Sequence, residues 1–363
     1  NWSQDKSNTI VGTTTPGQGT DVIFAIDSAS GDVATTLEQN FKVNSLTFEA
    51  GTSTPTSVSI APGAVATNRI EVAPQLATDG VEISAGGPAS VAISAPFRLG
   101  ANQTWHVADA GSTLTLSGGL LGERDVIKSG SGRVILGGAA DATFNAGQTA
   151  DFTINAGTLE LTNVAALGTV VNSNLANVIV NSTGAFYYNG AAGTVPNPLT
   201  LNGGTLSSGT ANQIYSGAVN LSGDSFINLR DSNSAVATTT ARAVTLTGVL
   251  SGAGDITLDS INTASTGNQI TGDLVISNAG NSGWSGDLIV RSGTVTARGG
   301  NGDTLGSGAI TIELGKVEWE GAGGVTYNIN KALTVARSGG NAIAEWNIDR
   351  TSGSGAMRSR SDS

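Results

Sequence analysis

Short runs of alternating hydrophobic and polar residues recur along most of the chain. In residues 244–247, VTLT, the aliphatic side chains would face one way and the threonines the other, which is the pattern of a strand with one buried face. Strong helix formers such as Glu, Lys, Arg, Gln and Met are scarce, and glycine interrupts nearly every longer window. The pattern therefore predicts an all-β chain without long helices.

A glycine-containing turn joins pairs of these strands and recurs at a regular distance. Residues 150–161, ADFTINAGTLEL, match the pattern of residues 287–297, DLIVRSGTVTA. The glycines Gly157, Gly184 and Gly204 are about 20 to 27 residues apart, which is the length of one solenoid coil. We therefore predict a right-handed parallel β-helix, a β-solenoid of roughly 20-residue coils, whose aliphatic side chains stack in interior columns.

The regularity of this pattern divides the chain into three parts. We expect residues 1–20 to form an extended N-terminal segment and residues 21–349 to form the β-solenoid. Residues 350–363, rich in Ser, Gly and Arg, are interpreted as a flexible C-terminal end or a truncation point. Coils of this length would number about 15 to 17, each advancing about 4.8 Å.

Composition narrows the classes of fold and function. The chain has 51 glycines, 12% charged residues and only 5% aromatic residues, so we expect a core of Val, Ile, Leu and Ala. It has no cysteine, which excludes disulfides and thiolate metal sites. A formal net charge of −11 would repel phosphate backbones, so no nucleic acid is expected as a partner. No apolar run approaches the roughly 18 residues of a transmembrane helix, so no membrane span is expected.

Two segments resemble a known family of exported bacterial proteins. Residues 126–138, VIKSGSGRVILGG, continue with FTINAGTLEL at residues 152–161 and ALG at residues 166–168, and are similar to the autotransporter-associated β-strand repeat. A second copy spans residues 284–312. The resemblance implies a passenger-type β-helix, extracellular or on the bacterial cell surface after removal of a signal peptide. It implies no particular chemistry.

Carboxylates are the only plausible catalytic groups in this chain. By strand alternation, Asp255 and Asp259 should project from one outer face, and Glu318 and Glu320 should project with Lys316 from another. Glycosidases use pairs of such carboxylates. We interpret these charges instead as groups that keep exposed strands soluble and prevent sideways association, and we assign no catalytic residue.

Other candidate ligands are few. Turn carboxylates at Asp224, Asp231 and Asp303 could bind Ca²⁺, which prefers oxygen ligands, but the tandem nonapeptide pattern of a strong calcium site is missing. We therefore assign no cofactor-binding or metal-binding residue and keep Ca²⁺ as an alternative. His106, the single histidine, is interpreted as a structural or surface residue. The tryptophans interpreted as packing elements or end caps are Trp284, Trp319 and Trp346.

These observations favour a structural or adhesive extracellular protein, either a passenger-like surface component or a filament subunit, without catalytic activity of its own. An open solenoid end exposes unpaired backbone groups, so we predict self-association end to end or with filament neighbours. Surface glycans are a further candidate partner. Two alternatives stay open: a polysaccharide lyase or hydrolase that uses the outward carboxylates, and a glycan-binding fibre module.

Overall fold

Nearly all regular elements of the protein are β-strands. The computed structural model describes residues 2–3, 11–12, 15–25, 32–51, 56–208, 212–229, 243–259, 272–300, 302–313, 315–321, 331–335 and 345–350. The helices in these ranges are two short 3₁₀ turns, Asn281–Gly283 and Gly302–Leu305. Parallel strands stack as a β-solenoid of about 11 turns, which confirms the predicted fold class.

The chain forms two compact units, Asn1–Gly190 with Pro196–Pro198 and Ala191–Val195 with Leu199–Ser363. Within the predicted N-terminal segment, strand β1 (Trp2–Ser3) pairs antiparallel with β2 (Val11–Gly12). Of the predicted C-terminal end, only Arg350 lies within the described residues.

Where the structure describes unit 1, its strands form three parallel ladders, named A, B and C. Ladder A consists of β3 (Asp21–Phe24), β6 (Ser45–Phe48), β9 (Gly80–Ile83), β12 (Gln103–Val107), β15 (Val126–Ser129) and the first halves of β17 (Asp151–Leu161) and β18 (Asn177–Tyr188). Ladder B consists of β4 (Val33–Thr36), β7 (Ser57–Ala61), β10 (Ser90–Ile93), β13 (Thr113–Leu116), β16 (Arg133–Leu136) and the second halves of β17 and β18. Ladder C consists of β5 (Phe41–Val43), β8 (Ile70–Val72), β11 (Phe97–Leu99) and β14 (Leu120–Leu121).

The described residues of unit 2 also form three parallel ladders, named D, E and F. Ladder D consists of β20 (Leu199–Asn202), β23 (Val219–Gly223) and β26 (Leu250–Gly252). Ladder E consists of β21 (Thr205–Ser208), β24 (Ser225–Asn228), β27 (Ile256–Leu258), β29 (Leu288–Val290), β31 (Ile310–Ile312) and β33 (Leu333–Val335). Ladder F consists of β19 (Gly193–Val195), β22 (Gln213–Tyr215), β25 (Ala243–Leu246), β28 (Asp273–Ile276), β30 (Thr294–Ala297), β32 (Lys316–Gly321) and β34 (Glu345–Arg350).

Inward-facing aliphatic side chains stack from coil to coil, as the alternation predicts. Val91 of β10 lies in register with Val58 of β7 and Leu114 of β13, and all three are buried. In unit 2, Leu246 of β25 and Ile276 of β28 form the same kind of buried pair. Burial stabilises the fold by about 1.5–3 kcal/mol for each such side chain.

Aromatic side chains supplement the aliphatic core of both units, with Tyr215, Trp284 and Trp319 buried in unit 2, so the expectation of a core made only of Val, Ile, Leu and Ala is wrong. Trp105 occupies an inward position of β12 and is fully buried. Its ring centroid lies 5.9 Å from those of Phe97 and Phe152, in edge-on geometry. Edge-to-face contacts of this kind are favourable, and the large rings fill the space inside the coil.

The coils are longer and more variable than the spacing of glycines suggests. Hydrogen bonds between equivalent positions of neighbouring coils join residues 23 positions apart at Asn102 and Asp125, and 32 positions apart at Asp255 and Asp287. The prediction of 15 to 17 coils is therefore wrong, and the number is about 11. The strands are short, and much of the extra length lies in the connections between them.

Gly157, the glycine of the clearest predicted turn, has a positive φ of 69°. A Cβ at this position would also lie 2.5 Å from the Gly130 carbonyl oxygen and 2.8 Å from the Lys128 ammonium. Close approach and backbone conformation therefore both require glycine. The two predicted strands on either side of it form one continuous strand, β17, with an irregularity in its pairing after Ile154.

Candidate functional site

The first predicted carboxylate, Asp255, belongs to a column of aspartates at the corner before ladder E. Asp224 Oδ1 accepts a hydrogen bond from the Asp255 backbone N–H at 3.1 Å. Asp255 Oδ1 accepts one from the Asp287 N–H, and Asp287 Oδ1 one from the Ala309 N–H, both at 2.7 Å. Each carboxylate thus replaces a backbone carbonyl as acceptor, which satisfies an amide at the corner. We call Asp224, Asp255 and Asp287 the aspartate column.

A glycine precedes each member of the aspartate column, and neighbouring coils touch at the glycines before Asp255 and Asp287 and at Gly308, the equivalent position of the next coil. Cβ atoms placed on Gly254, Gly286 and Gly308 would each lie closer than 3.0 Å to backbone atoms of the glycine in the coil before. Side chains cannot occupy such a space without moving the coils apart. The Gly-Asp dipeptide is therefore a corner motif, with the glycine permitting the approach and the aspartate bonding the next coil.

Unit 1 uses the same device at the start of ladder A. Asn102 Oδ1 accepts a hydrogen bond from the Asp125 N–H at 3.1 Å, and Asp125 Oδ1 accepts one from the Asp151 N–H at 3.0 Å. Asp151 Oδ1 in turn accepts a bond from the Asn177 side-chain amide at 2.9 Å. The recurrence in both units indicates that these side chains serve the scaffold.

The second predicted cluster, Lys316, Glu318 and Glu320, lies on β32 of ladder F, and Arg298 of the preceding coil joins it. The Lys316 ammonium pairs with the Glu318 carboxylate on the same strand. Glu320 is held by Arg298, which donates to it from both Nε and Nη2, the latter at 3.1 Å. The strand register places Glu318 beside Thr296 of β30. The predicted acidic groups are therefore already engaged by basic side chains.

Asp273, the first residue of β28, completes this cluster and was not singled out from the sequence. Its carboxylate accepts a hydrogen bond from the Thr296 hydroxyl at 2.8 Å. Burial raises the pKa of Asp273; the Thr296 bond and the Arg298 charge oppose this shift, and the nearby charges of Glu318 and Glu320 add to it. The one available signal was the sequence of β28, DLVI, whose consecutive apolar residues indicate a strand covered on both faces.

An open groove of about 480 Å³ lies on the outer face of ladder F, within unit 2. We call it the ladder F groove. Its walls combine hydroxyl, amide, carboxyl, guanidinium and aliphatic groups. The residues that matter for its chemistry are Thr194, Asn212, Ile214, Thr245, Asp273 and Arg298. At one end, Val275 is 2% exposed, so the groove has a buried floor there.

The remaining predicted residues have scaffold contacts. Asp259 Oδ1 accepts a hydrogen bond from the Ser292 hydroxyl at 3.4 Å, and a His106 ring nitrogen lies 2.9 Å from the Ser129 hydroxyl. Trp284 is buried and donates from Nε1 to the Gly254 carbonyl at 3.0 Å. Trp319 is also buried.

For the calcium candidates, the structure gives a partial result. Asp224 belongs to the aspartate column. The negative charge of Asp303 raises the pKa of Lys331, although burial of Lys331 lowers that pKa by more. Asp231 and the Trp346 side chain lie outside the described residues. Within the ranges that the structure describes, no group of three acidic or histidine side chains could hold a metal ion.

A buried lysine, Lys128, lies in the repeat-like segment of residues 126–138 in unit 1. Lys128 points inward from β15, is 2% exposed, and donates to the carbonyl oxygens of Ser129, Gly130 and Ala156 at 2.7, 2.8 and 3.0 Å. Burial lowers the pKa of Lys128 to about 7, while the three carbonyls favour the protonated form. The ammonium therefore ties two coils together at the corner beside Gly157.

A buried ion pair on the outer face of ladder B was also missed by the sequence reasoning. Glu160, 2% exposed, pairs with Arg133 and accepts a hydrogen bond from the Asn189 amide at 3.0 Å. The Arg133 guanidinium lies 5.8 Å from the centroid of the Tyr187 ring. A charged outward position gives no sign in the sequence that it will be buried.

Comparison with known proteins leaves the family undetermined. The chain gives no match to any protein-family model, curated protein or solved structure. The resemblance to the autotransporter-associated repeat therefore stays a prediction. Within the described part of the chain, none of the helices has the length and hydrophobicity needed to cross a bilayer.

Proposed function

We propose that this chain is a structural and adhesive solenoid of an exported bacterial surface protein, acting without catalysis of its own. The observation that carries the proposal is the aspartate column. Acidic residues that could have formed a catalytic groove accept backbone N–H bonds from the next coil, and the same arrangement recurs in unit 1. The repeat resemblance supplies the setting, on the cell surface or in the extracellular space.

Self-association is the second part of the proposal. Leu333 and Val335 of β33 are 42% and 51% exposed, although they are apolar. Exposed apolar strand residues favour contact with another chain. Head-to-tail contacts of this kind produce filaments if they do not close into a ring.

The alternative, a polysaccharide lyase or hydrolase, has one observation in its favour. Asp273 is a partly buried carboxyl with a raised pKa beside Glu318 and Glu320, and raised pKa values are common in general acids. Against it, Glu318 and Glu320 are held by Lys316 and Arg298. A carboxylate held in an ion pair with a basic side chain is poorly placed to act as a general base or nucleophile.

Two measurements test the proposal. Sedimentation velocity and negative-stain electron microscopy of the purified chain should show oligomers that lengthen with concentration and are lost in the double variant Leu333→Asp, Val335→Asp. Val171→Asp is the matched control, because Val171 is exposed in unit 1. A chain that stays monomeric at every concentration contradicts the filament. Turnover of neutral or acidic polysaccharides that disappears in Asp273→Asn would contradict the non-catalytic reading.

A further inference from the structure

The ladder F groove lies on the face of a sheet and crosses strands that are paired on both edges, whereas β19, which also lines the groove, is the end strand of the ladder. Strand β22 pairs with β19 and β25, and β28 pairs with β25 and β30. Ladder pairing uses the backbone N–H and C=O groups of these strands, so a peptide cannot add to them as a further strand. A ligand that crosses these strands must be recognised by side chains.

The groove side chains are arranged in rows that cross the strands. Thr194, Ile214, Thr245 and Val275 lie in register on four successive strands. Neighbouring strands are about 4.8 Å apart, so each row repeats a contact group at that interval. A sugar unit in an extended chain advances by a similar distance. An oligosaccharide crossing the strands would therefore meet a new contact group with each unit.

The polar groups at the groove are of the kinds that bond sugar hydroxyls. Asn212 is held at the edge of the groove, because its Oδ1 accepts a hydrogen bond from the Ala243 N–H at 3.1 Å. The Asp273 carboxylate is fixed by Thr296. Ile214, 37% exposed, supplies an aliphatic surface between the two hydroxyls of Thr194 and Thr245.

The charges near the groove select against an anionic ligand, because three carboxyl groups lie there beside two basic groups. Arg298 is engaged by Glu320, and Lys316 by Glu318, so neither basic group is uncompensated. The chain as a whole carries a net charge of −11. A polyanion would be repelled at distance and would meet no unpaired cation among the groove residues that the structure describes. The volume of about 480 Å³ is within the usual range of small-ligand pockets.

We propose that the ladder F groove binds a segment of a neutral oligosaccharide, with Asn212 and Asp273 bonding sugar hydroxyls and Ile214 packing against the apolar face of one ring. This inference gives the adhesive part of the proposed function a ligand class, and it rests on that function only for its biological setting. The groove is a binding site in unit 2 whether or not the chain forms filaments.

Titration calorimetry of the full chain with cellotetraose, chitotetraose and laminaritetraose tests the inference, with tetragalacturonate as the anionic comparison. We expect saturable binding of at least one neutral tetramer. Asp273→Asn and Asn212→Ala should each weaken it about tenfold, the loss expected for one hydrogen bond. Glu313→Gln, at the half-exposed carboxylate that follows β31 of ladder E, is the matched control and should leave the affinity unchanged. Circular dichroism checks that each variant is folded.

Three results would overturn the inference: no binding of any neutral tetramer, tighter binding of tetragalacturonate, or binding that neither groove variant weakens. None of these results affects the filament measurement. Normal self-association without sugar binding would reject the groove and keep the structural part of the proposed function. Sugar binding without self-association would reject the filament and keep the groove as a binding site.

Discussion

Replacing Gly286 with alanine should destabilise unit 2 by about 3–5 kcal/mol. The new Cβ would overlap the backbone carbonyl of Gly254, so the two coils would have to separate at the corner. Two hydrogen bonds span this contact: from the Asp287 N–H to Asp255 at 2.7 Å, and from Trp284 Nε1 to the Gly254 carbonyl at 3.0 Å. Weakening both costs about 1 kcal/mol each, and the strain adds about 1–3 kcal/mol.

Urea denaturation followed by circular dichroism measures this loss as a lower transition midpoint. Gly283→Ala is the matched control, because a Cβ at Gly283 would meet only the Ser251 Cβ, at 3.8 Å. Gly283 lies in the same corner connection and has no positive φ. Its substitution should change the midpoint little, or raise it slightly by restricting the unfolded chain. Equal midpoints for the two variants would refute the claim that coil contact requires glycine at position 286.

Three further predictions concern single side chains. Asp255→Ala should destabilise the fold by about 1–2 kcal/mol in urea denaturation because the Asp287 N–H loses its acceptor. The control Asp255→Asn keeps an oxygen at this position and should resemble the parent. Equal losses of stability in the two variants would reject the aspartate column as a set of acceptors. Glu160→Gln should cost about 1.5–3 kcal/mol because the partly covered Arg133 guanidinium loses its charged acceptor, and a melting temperature unchanged from the parent would contradict this. Burial lowers the pKa of Lys128 in the folded state to about 7, whereas in the unfolded state its pKa is about 10.4. The unfolded state therefore binds more protons between these two pH values, so the free energy of unfolding should rise with pH across this window relative to that of Lys128→Met. Parallel pH curves for the two proteins would show that the carbonyls cancel the effect of burial.

The sequence allowed the stacking to be predicted because alternation and the glycine turn are local signals. Residues 244–247 alternate as predicted, and Gly157 has the positive φ expected of a turn glycine. The aspartate column could not be predicted in the same way. Its hydrogen bonds join residues 22 to 32 positions apart, so they depend on the register between coils. Glycine-turn spacing did not reveal that register because the connections differ in length.

Candidate sites were harder to predict because alternation reports which face a residue points to, and not whether that face is covered. Thr296 points outward from β30 but is 1% exposed, and Glu160 points outward and is 2% exposed. Lys128 is the opposite case, an inward position with a charged residue, where the side chain reaches the carbonyls at the corner. The interpretation of Asp255 as a group that only keeps the surface soluble omitted its hydrogen bond to the next coil.

The unequal length of the coils has a consequence for how such a chain can diversify. Strand registers and the Gly-Asp corners fix the positions where coils meet, whereas the stretches between strands differ in length from one coil to the next. Insertions and deletions in those stretches leave the stacking frame intact, so new surface segments can be acquired one coil at a time. A deletion inside a ladder strand, in contrast, would turn inward-facing residues to the solvent in that coil alone, and its two neighbours would lose their shared core.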